Sequence, residues 1–367
     1  MSQRGRRRRP WSRSLINAGR ALAAALTVGL AVPEGHAAEL TFNTYGDINY
    51  GVVRQGSTSN GFSAPRLELF TSATQDKLAF LAETMFEVGD DNSFGVDMER
   101  IEVAYLFADW FRLRAGRVHT AIGYYNDAYH HGRYFQTTVD RPAMVRFEDE
   151  GGLIPAHSVG LQADGRFHLG GAGALRYDFS IANGRGRTPG EVTNLVDPNN
   201  GKMFNLRLRF EPRFLEGLIV GVNALVDSIS ASDQAAIPTI TFVREIILGG
   251  HIVYLENNVH IIGEYLRVSH RANGETGVTN AFFLELGYTF NRVTPYLRGE
   301  RVSFPATLDP FYAQNVFALS RGSFTSGLAG VRFTASDYLA LKLEAELVHP
   351  EIGTDIKMVV AQCAFAF

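Results

Sequence analysis

FRLRAGRVHTAIGYYNDAYHHGRYFQTTVDRPAMVRFEDEGGLIPAH, residues 111–157, is the stretch on which the reading of this chain turns. It opens as a strand, with Phe111, Leu113 and Ala115 alternating with Arg112 and Arg114. From 119 to 157 no alternation is sustained, and Tyr, His, Arg, Asp and Glu crowd together. Strands resume near Ser158. Almost everything else in the chain reads as alternating strands joined by turns. The expectation is an all-β transmembrane barrel, with 119–157 folding into its mouth or lumen.

Outward from that stretch the period of two recurs. Upstream, Leu78, Phe80, Ala82, Phe86 and Val88 alternate with Glu83 and Glu87, and Ile101, Val103, Tyr105 and Phe107 with Arg100 and Glu102. Downstream, Phe204, Leu206, Leu208 and Phe210 alternate with Asn205, Arg207 and Arg209, and Leu339, Leu341, Leu343, Ala345 and Leu347 with Lys342, Glu344 and Glu346. Residues 244–254 and 259–271 are apolar or mixed on both faces. A soluble β-sandwich also alternates. Here one face carries charge of both signs, strand after strand, while the other is nearly charge-free. A water-filled lumen backed by a lipid-facing wall produces that segregation.

The connections alternate in length. Short turns are expected at 74–77, 108–110, 169–172, 211–217, 255–258, 291–292 and 335–337. Longer loops are expected near 54–61, 89–97, 119–157, 184–202, 228–239, 270–277, 303–323 and 349–354. Outer-membrane barrels have short periplasmic turns and long outside loops. Seven turns and eight loops give an antiparallel, up-and-down barrel of about 16 strands, 14 and 18 being the neighbouring counts. An even number places both termini in the periplasm. Aromatics near strand ends, Tyr45, Tyr50, Phe107, Trp110, Phe111, Tyr288, Phe290 and Tyr338, suit the lipid–water boundary.

The N-terminus reads as a targeting signal. Arg4, Arg6 to Arg9, Arg13 and Arg20 precede an apolar run from Ala21 to Val32, followed by Gly35-His36-Ala37-Ala38. This is the pattern of a cleaved secretory signal, 1–37, and the run is too short to span a bilayer. Removing it takes away seven Arg and one Glu, so 35 basic and 38 acidic residues become 28 and 37, a net charge of −9. That balance argues against nucleic acid as a partner. Outside the signal no apolar run reaches the length of a membrane helix, which excludes a helical membrane protein but not a barrel over 38–367. The single cysteine, Cys363, permits no internal disulfide and no cysteine-based zinc or redox motif.

The chain ends Cys363-Ala-Phe-Ala-Phe367, with Phe367, Phe365, Cys363, Ala361 and Val359 on one face. A terminal Phe on an alternating last strand resembles the signature that outer-membrane assembly machinery reads. The mature chain resembles a sixteen-stranded outer-membrane porin. Locally, Leu113-Arg-Ala-Gly-Arg117 followed by Ile122-Gly123 is similar to the phosphate-selective porin O/P family. The resemblance implies a diffusion channel, usually a homotrimer, whose third long loop narrows the pore at mid-height; here the third long loop is also the longest. It further implies outer-membrane lipid and lipopolysaccharide as surroundings, the assembly machinery as a partner through Phe367, and small hydrophilic solutes as cargo. Such porins use lysine clusters, and this chain departs from them with only four lysines: Lys77, Lys202, Lys342 and Lys357.

Rings of charged side chains decide which ions pass a pore. The expected lumen face carries Arg112, Arg114, Arg166, Arg176, Arg207, Arg209, Arg298 and Lys342 against nine carboxylates, among them Glu102, Asp164, Asp178, Glu285, Glu300 and Glu344. At the constriction Arg112, Arg114, Arg117, Arg133, Arg141 and Arg146 are expected to face Asp127, Asp140, Glu148, Asp149 and Glu150. A bulge at Gly116 would bring Arg117 into phase. The alternative is that many of these charges only solvate each other. His119, His130, His131 and His157 fall on the same loop, but adjacent histidines in a strand point apart and no known ligand spacing is present, so neither a metal nor a cofactor is expected. Two other readings stay open. One is a barrel enzyme of protease or lipase type, with Asp127, His130, His131 and Asp140 as candidates. The other is a non-conducting structural or binding barrel plugged by the long loop.

Overall fold

The computed structural model describes residues 38–367 apart from 64, 89–92, 131, 192–196, 198, 231–240, 306–308 and 313–321, so the expected signal peptide lies outside the described residues. The strands are β1 (Glu39–Gln55), β2 (Ser57–Phe62), β3 (Arg66–Gln75), β4 (Leu78–Val88), β5 (Phe94–Ala108), β6 (Phe111–His119), β7 (His157–His168), β8 (Gly173–Ala182) and β9 (Met203–Pro212). There follow β10 (Leu218–Ser230), β11 (Phe242–Glu256), β12 (Val259–Ala272), β13 (Glu275–Tyr288), β14 (Val293–Ser303), β15 (Phe324–Ser336), β16 (Leu339–Pro350) and β17 (Ile356–Ala366). β2 and β3 are successive pieces of one stave, so the wall has sixteen. Each sequential neighbour pairs with the next and β1 pairs antiparallel with β17, which closes the sheet. Among the described residues closure leaves no unpaired strand edge, the condition for a sheet to sit in lipid.

The seven short turns fall where the alternation puts them. At Asn257 and Asn258 both residues take positive φ, +54° and +66°, the mirror-image turn whose twist matches two antiparallel strands. Two of the expected long loops are not loops. β1 runs to Gln55, turns at Gly56 (φ +73°) and returns as β2, and β12 turns into β13 at Asn273 and Gly274 (φ +49° and +86°). These hairpins continue past the stretch of apolar alternation. There both faces are polar, and no period marks the strand.

The barrel is inside-out relative to a soluble fold. Leu161, Leu206, Val222, Leu248, Ile252, Leu297 and Leu343 are exposed on the outer face. Glu83, Arg207, Glu285 and Arg298, pointing inward, are at most 1% exposed. So much outward apolar surface is unusual for a water-soluble monomer and is what a lipid-facing wall requires. Of the expected girdle, Tyr50, Phe107, Trp110, Tyr288, Phe290 and Tyr338 are exposed, and Tyr338 stacks on Phe367 at 5.6 Å between ring centres. Phe111 is half-buried, and Tyr45 is turned inward. It shares the inward face of Asp47 and packs edge-on against Phe135 of the long loop, 5.3 Å away. At the seam, Phe367 exchanges both backbone hydrogen bonds with Thr44, and Cys363 is half-buried on the outward face of β17.

The bulge expected at Gly116 is absent. The β5–β6 register runs unbroken from Ile101↔Arg117 to Ala104↔Arg114. Gly116 instead takes φ +135°, where an added Cβ would meet the Ile101 carbonyl oxygen at 2.1 Å. The extra residue lies across the hairpin: Glu99 is skipped between Met98 and Arg100 in pairing with β4.

A hydrophobic core fills part of the lumen. Leu225, Ile229, Val243, Ile247, Ile262, Leu266, Val268 and Phe283 on the inner faces of β10 to β13 pack on Ile122, Tyr125, Met144, Val145, Leu153 and Ile154 of the long loop. Each fully buried aliphatic side chain contributes about 1.5–3 kcal/mol relative to exposure in water. The strands whose alternation is unclean, β11 and β12, are the ones on which the loop rests.

Candidate functional site

Residues 120–156 fold into the barrel and are held there largely through their main chain. Wall carboxylates accept from loop amides: Glu264 from Tyr124 and Tyr125 at 2.8 and 2.6 Å, Glu68 from Gly132 at 2.8 Å, Glu344 from Val139 at 3.0 Å, Glu300 from Ala143 at 2.7 Å. Wall cations donate to loop carbonyls: Arg207 to Gly123 at 2.8 Å, Arg298 to Asp140 at 2.8 Å, Lys342 to Arg133 and Thr138 at 2.6 and 2.7 Å, Arg332 to Tyr134 at 2.9 Å. Glu264 thereby caps the one-turn helix Tyr125–Ala128. Arg298 is fully buried, also bonded to Glu300 at 2.7 Å and facing Glu285 at 3.6 Å. Sequence reasoning placed Arg207, Arg298, Lys342, Glu285, Glu300 and Glu344 on the lumen face and missed Glu68, Glu264 and Arg332. It gave the ones it found the selection of ions as their task, where the structure gives several of them a loop to hold. The only signal for that role was the mixed pattern of 244–271.

The constriction residues separate into three groups. Arg112 and Arg114 both bond Asp164 of β7, at 2.8 and 2.9 Å, and Arg114 also faces Glu102 at 3.7 Å. Arg117 is buried against Glu99 at 3.4 Å and donates to the Met98 carbonyl and to His157 Nδ1. Within the loop, Arg133 pairs with Asp140 at 3.0 Å and approaches Asp47 at 3.6 Å. Burial disfavours both charges, but each outweighs it for the other. Asp140 is held below the usual carboxylate range and the Arg133 guanidinium is raised. Buried Arg146 adds to the field on Asp140.

Arg141 is internal to the loop. It bonds the carbonyls of Val145 and His130 and Asn126 Oδ1, and lies over the Phe147 ring at 4.6 Å. Asp127 pairs with Arg207 at 2.8 Å; burial opposes its charge, and Arg207 holds it ionised. Glu148 is buried, accepting from the Ala156 amide at 2.7 Å, and burial pushes its pKa up to about 7 against the pull of Arg185. Glu150 reaches Arg66 at 3.0 Å, and Asp149 is exposed.

Opposite the docked side of the loop, along β5 to β9, lies a cavity of about 610 Å³. It is lined by Arg112, Arg114, Arg166, Arg176 and Arg209, with Asp109, Asp127, Asp164 and Asp178 among them. Five arginines stand against four aspartates, and they differ in presentation. The side chains of Arg112, Arg166 and Arg176 are 40–43% exposed, whereas Asp164 and Asp178 are 12% and 2% exposed behind their arginines. Arg114 and Arg209 are only 13% and 18% exposed, and Asp127 (34%) and Asp109 also show a carboxylate to the cavity. The exposed guanidinium groups of Arg112, Arg166 and Arg176, suited to planar, bidentate contact with oxyanions, therefore share the lining with two accessible carboxylates.

His119 and His157 are direct cross-strand partners at the neck of the loop, and the chain brings His130 back between them. His131 lies outside the described residues.

No protein-family model matches the chain, and a search of curated proteins finds no relative. Solved structures do resemble it in fold. OmpT, an outer membrane protein of Vibrio cholerae, superposes with a TM-score of 0.61 at 11% identity, over 92% of this chain and 100% of that one. It has also been solved in a trimer form. The outer membrane channel DcaP of Acinetobacter baumannii gives 0.56 at 11% identity, over 92% and 99%. OprB of Pseudomonas putida gives 0.54 at 8%, over 96% and 97%. The fold is that of a bacterial outer-membrane β-barrel with porin-type, sixteen-stranded architecture.

Proposed function

We propose that this protein is an outer-membrane porin: a water-filled channel for passive diffusion of small hydrophilic solutes, narrowed by loop 119–157 and preferring anions. The observation that carries this reading is the cavity beside the docked loop, where Arg112, Arg166 and Arg176 are exposed and Asp164 and Asp178 are tucked behind arginines. The local likeness to phosphate-selective porins at 113–117 fits an oxyanion preference. The scarcity of lysine makes arginine the binding group and argues for small anions as a class. We propose periplasmic termini, because the even stave count puts both on the side of the short turns, which in such barrels is the periplasmic one, and Phe367 at the seam suits recognition by the assembly machinery. We propose a homotrimer, as in the trimer form of the Vibrio cholerae protein.

A channel fits the loop better than an enzyme does. Asp127 is engaged by Arg207, Asp140 by Arg133, and His130 Nδ1 by the Asn126 carbonyl at 2.9 Å, so these groups are arranged to hold the loop in place. A plugged barrel is the reading that the many loop–wall bonds favour in its place. Single-channel conductance of the refolded mature protein in a planar bilayer separates the two. Stepwise currents with an anion-selective reversal potential in a salt gradient are expected. Silence from a folded, heat-modifiable barrel overturns the channel, and a cation-selective reversal potential overturns the arginine assignment.

A further inference from the structure

We propose that His119, His130 and His157 form a binding site for a divalent transition-metal ion, zinc by preference, at the neck of the inward loop. One nitrogen from each ring lies within 4.8 Å of the other two, and all three residues are at most 8% exposed. They come from three places in the chain. His119 ends β6, His157 begins β7 directly opposite it, and His130 follows the one-turn helix. The sequence separates them too widely for a ligand motif, so only folding assembles the set.

The surroundings have the chemistry of a metal site. The His130 Nδ1–H donates to the Asn126 carbonyl, which leaves the lone pair on Nε2. A ring nitrogen tied to a carbonyl in this way is the usual outer support of a metal-bound histidine. Two buried carboxylates stand beside the rings: Glu83 Oε2 is 3.5 Å from His119 Nε2, and Glu99 Oε2 is 3.2 Å from His157 Nε2. Zinc binds nitrogen and carboxylate oxygen at about 2.0–2.2 Å in tetrahedral geometry, which sets neighbouring ligand atoms roughly 3.4 Å apart. The two histidine–carboxylate spacings already match that edge. Either carboxylate supplies a fourth ligand; each shares its charge with an arginine, Glu83 with Arg100 at 3.0 Å and Glu99 with Arg117 at 3.4 Å.

Two adjustments accompany binding. The rings of His119 and His130 are stacked, 3.7 Å between centres, and fan apart to converge on an ion. Arg117 yields its contact with His157 Nδ1 and keeps Glu99 and the Met98 carbonyl. Imidazole ligands with one oxygen suit zinc, copper and nickel and disfavour calcium and magnesium. An ion held here ties the loop at residue 130 to both strands that carry it.

The test uses the refolded barrel stripped with a chelator and titrated with Zn²⁺ alone, followed by calorimetry and by metal content after gel filtration. One ion per chain is expected. His130→Ala and His119→Gln should each weaken binding at least tenfold, while His349→Ala, at an exposed pair with Asp355, should leave it unchanged. Substitution with Co²⁺ keeps the test decisive if a histidine variant misfolds. The intense visible absorption of a tetrahedral site is expected, and a weak octahedral spectrum overturns the proposal. So does binding that survives His130→Ala or that vanishes with His349→Ala. The site does not depend on the channel reading: a non-conducting barrel that takes up one zinc leaves it standing.

Discussion

The two sides of this barrel put charged side chains to different use. Along β5 to β9, Arg112, Arg114, Arg176 and Arg209 face a cavity and are braced from behind by Asp164, Asp178 and Glu211. Along β10 to β16, Glu264, Glu300, Glu344, Arg298 and Lys342 are buried against the loop and spent on its backbone. Both sides satisfy the same inward-polar alternation. What separates them is the apolar content between the charges. Leu225, Ile229, Ile247 and Leu266 give the second side a dry surface that the loop can cover. A charge within such a surface is kept only where it meets a partner. On the first side the charges pair with one another along the wall, and Arg112, Arg166 and Arg176 stay 40–43% exposed.

The sharpest way to break this contrast is to remove a buried cation from the docked side. Arg298→Met leaves Glu285 and Glu300 without their guanidinium and should cost about 3–5 kcal/mol. Denaturant unfolding of the refolded barrel measures it. Loss below 1 kcal/mol would mean that the loop does not depend on this residue. Deleting 124–150 carries the same question to the pore: in a working porin it should enlarge an existing conductance and loosen selectivity, whereas in a plugged barrel current should appear from zero.

Truncating the dry interface comes next. Ile154→Ala, fully buried between loop and wall, should destabilise by about 2–5 kcal/mol. Leu161→Ala on the outer face, half-exposed toward lipid, should cost clearly less in the same assay. Equal losses would remove the reason for distinguishing the two surfaces.

Glu148 sharpens the comparison through pH. Its folded pKa, raised by burial to about 7, lies above the ordinary 4.5. The folded state therefore holds a proton that the unfolded state releases between these values. The corresponding stability is fully present below pH 4.5 and is lost as pH rises through 7. The loss is on the order of 3 kcal/mol. The unfolding midpoint should fall from pH 5 to pH 8, and Glu148→Gln should flatten that fall. Parallel profiles for both proteins would remove Glu148 as the cause.

The smallest expected effect on stability belongs to the open side. Arg112→Ala breaks a pair whose arginine is 43% exposed and should cost about 1 kcal/mol or less. It should nevertheless shift the reversal potential toward cations, because Arg112 contributes to the surface that solutes meet. A stable variant with unchanged selectivity would place the selective surface elsewhere.

Much of the wall was legible in the sequence because its signals are local. A period of two, Asn or Gly at turns and a charge-free face can each be read within a dozen residues, and they yield sixteen staves and all seven short turns. The hairpins at Gly56 and Asn273 escaped because strands beyond the apolar band are wet on both sides and keep no period. The loop's docking escaped for another reason. Glu264 lies 140 residues from Tyr124 and Glu344 lies 205 from Val139, and nothing in either neighbourhood names the other. The triad of histidines was visible only as composition. Its convergence depends on β6 and β7 being paired so that residue 119 faces 157.

The loop is gripped by its peptide groups, and this bears on how the family of such barrels can diversify. Amides and carbonyls are present whatever the residue, so in the proposed channel substitutions along the exposed edge of the loop change what a passing solute meets without touching the clamps at 123, 124, 132, 139 and 143. The lock and the filter can then drift independently, with selectivity tunable one side chain at a time on an insert whose seat stays the same.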